Sequence, residues 1–226
     1  MRLELLSELN AARAARRAAV VATALEGGAQ RLILDPAGDP LAEAVEAAIR
    51  SGKSGVVESP EGPVFLNVHR PPTRIVIVGA VHVSQALAPM AAGLGHHVSV
   101  VDPRTAFATE ARFAGVDLMA DWPDRALPAI GLDPFTAFAA LTHDPKIDDP
   151  GLVEALKADC FYVGALGSKK THAKRVERLA AAGVAREKID RIRAPIGLPI
   201  GASSPAEIAL SILAEITQAM RLPEAP

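Results

Sequence analysis

Leu3, Leu6 and Leu9 recur at every third position among Ala, Glu and Arg, a spacing that predicts an amphipathic helix over Leu3–Ala18. Short β-like runs follow at Ala19–Thr23 and Arg31–Leu34, then a helix over Pro40–Arg50 that Gly52 ends. Two further strands are predicted at Gly55–Glu58 and Val64–Val68, separated by the turn-forming Ser59-Pro60-Glu61-Gly62-Pro63. Residues 1–70 therefore read as a small α+β domain. The Pro71-Pro72 pair stiffens the chain and marks its end.

Beyond the prolines the pattern changes. Arg74–Val78 and His97–Val101 are apolar without alternation, as strands covered on both faces must be. Further strands are predicted at Asp117–Ala120, Phe135–Leu141 and Cys160–Val163. Helices are predicted at Ser84–Leu94, Trp122–Ile130, Pro150–Lys157, Lys169–Ala182 and Pro205–Met220. Parallel neighbours need crossovers, and helices alternate with strands here at crossover spacing. The expected fold class is α/β: a Rossmann-like doubly wound parallel sheet over residues 73–222, preceded by the small N-terminal α+β domain.

Composition narrows the function classes. Half of the 226 residues are hydrophobic, yet there is one Trp and one Tyr, so methyl-sized and branched side chains must fill the core. A net charge of −2 without a basic, aromatic-studded stripe argues against nucleic acid as a partner. The cluster Arg13, Arg16, Arg17 reads as a solvated helix face. No apolar run approaches the roughly 20 residues of a membrane span, and the N-terminus lacks a signal-peptide layout, so the cytoplasm is the expected compartment. The one cysteine, Cys160, opens an apolar run and reads as a small buried hydrophobe; no cluster points to a metal.

Candidate chemistry gathers at predicted strand ends, where open α/β sheets bind ligands. The first strand runs into Gly79-Ala80-Val81-His82-Val83-Ser84. Only the first glycine of GxGxxG is kept, and Val81 stands where a side chain would crowd a pyrophosphate. Asp102, 23 residues after Gly79, is placed either to read a ribose or to cap the turn before Pro103, and Arg104 offers a fork for phosphate or carboxylate. Thr142, His143, Asp144 and Lys146 follow another strand; they can bind a polar ligand, with His143 beside Asp144 as a proton relay, or form a plain turn. Gly164-Ala165-Leu166-Gly167-Ser168-Lys169-Lys170-Thr171-His172 looks like an anion cradle with Ser168 as helix N-cap, although it lacks P-loop spacing. His172 and Arg175 share a helix face. Asp148, Asp149 and Glu154 read as an exposed acidic helix start, and Ser204-Pro205 as N-cap and first position of the last helix.

The GxxHV turn, the VVDPR strand end, Phe107-Ala108-Thr109 with Arg112-Phe113, LTHDPK, FYVGALGSKKTH and PIGLPIGASSPAEIALSILAEI occur in this order between about Arg74 and Gln218. Together they resemble the XdhC/CoxI family, accessory factors of xanthine dehydrogenase and related molybdenum hydroxylases. The resemblance implies a Rossmann domain that holds the molybdenum cofactor (molybdopterin), a pterin with a terminal phosphate or nucleotide. It also implies a role in passing the sulfurated cofactor to an apo molybdenum hydroxylase. Gly79, His82, Asp102, Thr142, His143, Asp144, Gly164, Gly167, Ser168 and His172 would line the site, with Arg104 and Lys169 beside them. Family members often carry glycine where Val81 stands and a Gly-Gly-Cys segment in the N-terminal domain, whereas residues 1–70 here hold no cysteine. A thiol, if needed, would come from a partner such as a cysteine desulfurase or a separate chain carrying that domain; a homodimer is also compatible. The expectation is a non-catalytic maturation chaperone; an oxidoreductase using NAD(P) and a scaffold with a degenerate nucleotide site are the alternatives.

Overall fold

The computed structural model describes residues 2–222, which divide between Pro71 and Pro72 into two compact units. In the first, α1 (Leu3–Ala14), β1 (Ala19–Ala24), β2 (Gln30–Ile33), α2 (Ala42–Ser51), β3 (Gly55–Val57) and β4 (Val64–His69) form an antiparallel sheet in the order β2-β1-β4-β3. Alternation along β1 sends Val20 and Ala22 toward Leu41 and Val45 beside α2, and Ala19 and Val21 toward Leu9 and Ala12 of α1. One helix therefore covers each face. The observed α1 is one turn shorter than the pattern predicts, because Arg16 takes a left-handed φ of 52° and ends it.

The second unit runs β5 (Arg74–Val78), α3 (His82–Gly93), β6 (His97–Val101), β7 (Asp117–Met119), α4 (Pro123–Ile130), β8 (Thr136–Ala140), α5 (Pro145–Lys157), β9 (Tyr162–Ala165), α6 (Lys169–Ala181), α7 (Arg186–Ile189), β10 (Ile192–Arg193) and α8 (Pro205–Arg221). Its six strands are all parallel, in the order β10-β9-β8-β5-β6-β7. Read from β7, that is the 3-2-1-4-5-6 order of the Rossmann fold, with the direction of winding reversing between β5 and β8. Ile75 and Ile77 face α3 and α8, while Val76 and Val78 face α4 and α5, so both faces of β5 are dry. Each such branched side chain contributes about 1.5–3 kcal/mol by leaving water.

Three local features matter for the site. Ser204 caps α8 as its sequence predicts, and Glu207 completes a capping box with it. Ser168 caps α6, its hydroxyl accepting from the Thr171 N–H at 3.2 Å. The start of α5, in contrast, lies at Pro145 and not at Pro150. Asp144 is its N-cap, accepting from the Lys146 N–H at 2.9 Å, with Pro145 in the first turn, where its missing N–H costs nothing. Starting α5 five residues early moves Asp148 inside the helix, where it is 1% exposed; the expectation of an exposed Asp148 is corrected accordingly.

Candidate functional site

The end of β5 is shaped by its approach to β8. Gly79 has φ +117°, and a Cβ there would lie 2.8 Å from the Thr142 methyl carbon, so only glycine lets the two strand ends meet. Ser84 is fully buried in the place of the third fingerprint glycine, and its hydroxyl donates to the Gly79 carbonyl. Val81 is the N-cap residue of α3 in extended conformation, packed against the core, and His82 is exposed in the first turn.

Asp102 is fully buried beneath this turn. Its carboxylate accepts from the Ala80 N–H at 2.7 Å and from the Arg104 N–H, Nε and Nη2 at 2.9, 2.9 and 2.7 Å. Four donors match the four acceptor sites of a carboxylate. Burial opposes its ionisation, but the Arg104 guanidinium and the two backbone N–H groups outweigh burial and hold the carboxyl below its ordinary range. The Ala80 carbonyl is engaged as well, accepting from Arg112 Nη1 at 3.0 Å, while Arg112 Nη2 donates to Gln85 at 2.8 Å. Phe107 lies under both cations, 4.7 Å from the Arg104 guanidinium carbon and 5.7 Å from that of Arg112. The VVDPR and Phe107–Arg112 segments thus close over the turn from outside.

The next two strand ends are built differently. Asp148, from inside α5, turns back to accept from the Thr142 hydroxyl at 2.7 Å, the Thr142 N–H at 3.2 Å and the His143 N–H at 3.0 Å. This holds His143 at φ +65°, a left-handed conformation, with its imidazole exposed. Burial pushes the Asp148 carboxyl up in spite of those donors and of the Arg175 charge. Gly167, φ +129°, comes alongside: a Cβ on it would stand 3.7 Å from His143 Nδ1 and 3.1 Å from Thr171. Gly164 has another task, since a Cβ there would strike Ile196 at 2.5 Å; it admits the loop after β10 rather than a ligand.

Between α5 and α6 lies a cleft of about 350 Å³, lined among others by His143, Asp148, Lys170, Lys174, Arg175 and Arg178. Arg178 is matched to Asp149 by bonds of 2.5 and 3.0 Å. Arg175 is 2% exposed; its Nη2 donates to the Leu166 carbonyl at 2.8 Å, while its Nε and Nη1 are buried without a hydrogen-bond partner. His172 Nδ1 is orphaned in the same way, and burial, reinforced by Arg175 and Arg186, pushes His172 toward its neutral form.

The structure therefore brings Gly79, Thr142, His143 and Gly167 side by side at the carboxyl edge of the sheet, with Ser168, Lys169 and His172 on the adjoining helix start. Asp144 serves as a helix cap, and Asp102 with Arg104 forms a closed pair. Sequence reasoning missed Asp148 and undervalued Arg175. A signal for Asp148 was present, in that a helix capped by Asp144 puts it one turn on, facing back to the strand. Among the described residues no group of three or more His, Cys, Asp or Glu side chains is placed to hold a metal, and no helix is long and apolar enough to cross a membrane.

Six parallel strands in this order define a Rossmann domain, whose polar residues here gather at the carboxyl ends of β5, β8 and β9. Residues 75–216 match the XdhC Rossmann domain, and the chain belongs to that family. It is 35% identical over 147 residues to the molybdenum cofactor insertion chaperone PaoD of Escherichia coli, a match covering 65% of this chain and 40% of that protein. It is 32% identical over 156 residues to a probable xanthine dehydrogenase subunit of Bacillus subtilis, covering 69% and 45%. Escherichia coli YqeB, uncharacterized, is 34% identical over 157 residues, 69% of this chain and 29% of that protein. The matches thus span less than half the length of these relatives. Among solved structures, a xanthine dehydrogenase from Bacillus halodurans superimposes with a TM-score of 0.68 at 25% identity, covering 97% of this chain and 68% of that one.

Proposed function

We propose that this chain is a non-catalytic maturation factor that holds the molybdenum cofactor as cargo for an apo molybdenum hydroxylase. The observation that carries the reading is the pairing of strand ends at Thr142-His143 and Gly167-Ser168 beside a cationic cleft, in a chain 35% identical to a cofactor insertion chaperone. His143 and the start of α6 would orient the polar edge of a pterin, and Lys169, Lys170 and the α6 dipole would attract its phosphate. The protein's part is to bind, orient and shield the cargo until it docks. Sulfur would come from outside: Cys160 is fully buried and burial pushes its thiol up to about 12, so it is no thiolate carrier. A cysteine desulfurase, or a separate chain with its own reactive cysteine, suits that step.

The oxidoreductase reading asks Asp102 to accept from a ribose and the β5 turn to offer its N–H groups. Asp102 already has four donors, and the Ala80 N–H is one of them. This disfavours NAD or NADP in the usual pose. The test is to titrate the purified chain separately with molybdenum cofactor, NAD, NADP and AMP. Tight pterin binding with little dinucleotide affinity, weakened in His143→Ala and Ser168→Ala without loss of folding, is expected. Preference for NAD or NADP would put the enzyme reading ahead, and unchanged pterin affinity in both variants would sink the site.

A further inference from the structure

The cleft between α5 and α6 holds an imbalance that the fold alone does not explain. Lys170, Lys174, Arg175 and Arg178 face Asp148 and Asp149, four cations against two carboxylates. Asp149 is taken by Arg178, and the oxygens of Asp148 are turned to Thr142 and His143. Lys170 and Lys174 are exposed and make no ion pair among the described residues. Arg175 makes none either, yet it is 2% exposed with two nitrogens lacking hydrogen-bond partners. Buried donors on a cation are costly to leave unmatched, and in native proteins such groups usually meet an anion or a water. The one backbone acceptor Arg175 has, the Leu166 carbonyl, ties it to the loop that precedes the Ser168 cap.

We propose that this cleft is a phosphate-monoester subsite, in which Arg175 from within and Lys170 and Lys174 from the exposed side take the terminal phosphate of the ligand held by the strand-end loops. A dianion matches the two uncancelled positive charges, and its oxygens can be approached from both helices at once. The cleft, at about 350 Å³, has room for a phosphate and the first atoms of its ester but not for a polymer. His143, which lines the cleft and also adjoins Gly167, joins the subsite to the loops. The α6 N-terminus, capped by Ser168, adds its positive end beside Lys170. In this form the inference rests on the reading of the chain as a cofactor carrier, and it specifies where the phosphorylated end goes.

The experiment titrates the full chain with intact molybdenum cofactor, with the same pterin after phosphatase treatment, and with inorganic phosphate. Wild type is expected to bind the intact pterin at least tenfold more tightly than the dephosphorylated one, with inorganic phosphate competing. In Lys170→Ala/Lys174→Ala that preference should fall below threefold while affinity for the dephosphorylated pterin stays within twofold; both side chains are exposed, so folding is not at stake. Arg175→Gln, checked by thermal unfolding, should lose the preference as well. Equal affinity of wild type for both pterins, unaffected by the lysine substitutions, overturns the subsite and leaves the carrier reading standing. Binding of inorganic phosphate that the lysine variant loses, with no binding of either pterin, upholds the subsite and overturns the carrier reading. Binding of none of the three probes overturns both.

Discussion

Two neighbouring crevices at the same sheet edge are finished in opposite ways. At the β5–α3 turn both polar groups of Ala80 and the Ser84 hydroxyl have internal partners: Ala80 N–H meets Asp102, Ala80 C=O meets Arg112, and Ser84 meets Gly79. At the β8–α5 and β9–α6 ends the backbone is equally well fixed, by Asp144, Asp148 and Ser168, but Arg175 Nε and Nη1 and His172 Nδ1 are left without hydrogen-bond partners around it. The first crevice is where a Rossmann fingerprint directs attention. The second has the properties of a binding site: a rigid frame and unsatisfied donors. The difference teaches that topology marks a region of ligand binding, while the hydrogen-bond inventory says which strand ends in that region are open.

The largest effect should come from the frame of the open crevice. Asp148→Ala removes three acceptor contacts at once and deprives Arg175 of its most favourable carboxylate charge. A loss of about 3 kcal/mol is expected, measurable by urea unfolding. Pterin affinity should fall with it, because His143 loses the bond that holds its left-handed backbone. A destabilisation under about 1 kcal/mol would mean the frame is not organised by Asp148.

At the closed crevice, Asp102→Asn should cost about 2 kcal/mol, less than a fully buried pair because Arg104 is a third exposed. The pH dependences separate the two carboxyls. Asp102 has its folded pKa depressed below 3.8, so its contribution is present above that value and fades as pH falls through the folded pKa. Asp148 is raised above 3.8, so its ionisation opposes folding, and the stability associated with its protonated form is lost as pH rises through its folded pKa. Unfolding curves from about pH 3 to 7 should therefore show the wild-type advantage over Asp102→Asn growing with pH. An advantage that shrinks would contradict the closed pair.

The contrast between the crevices was only half legible in the sequence. Unbroken apolar runs such as Arg74–Val78 and His97–Val101 announced buried parallel strands, and β5 and β6 occupy just those residues. Ser168 and Ser204 announced helix starts because capping is chemistry local to a few residues. The short α7 and β10 left no periodic signal, having four and two residues. Pro150 misled in a specific way: read as a helix start, it hid the cap at Asp144 and with it the burial of Asp148. Position alone left Asp102 as either a ribose reader or a cap for the turn before Pro103, and three-dimensional pairing shows that Arg104 and Ala80 take up its oxygens. Partners chosen across loops are not encoded in spacing.

Val81→Gly gives the smallest effect and tests the comparison most directly. If crowding by the valine side chain were all that separates this turn from a dinucleotide site, removing it should raise NAD or AMP affinity tenfold or more. The structure argues otherwise. Val81 has an ordinary extended backbone, φ −100° and ψ 177°, and its side chain is half-buried against the apolar core on that face of the sheet. The obstacle lies one residue earlier, where both polar groups of Ala80 are engaged. Val81→Gly should thus lower stability by about 0.5–1 kcal/mol through lost packing and added chain entropy, and change nucleotide affinity less than threefold. Combining it with Asp102→Asn, which weakens the Arg104 pairing and turns an acceptor at Ala80 into a weaker one, should increase affinity more than either change alone. A tenfold gain from Val81→Gly by itself would show that the turn was merely crowded, and the division into a closed and an open crevice would fail.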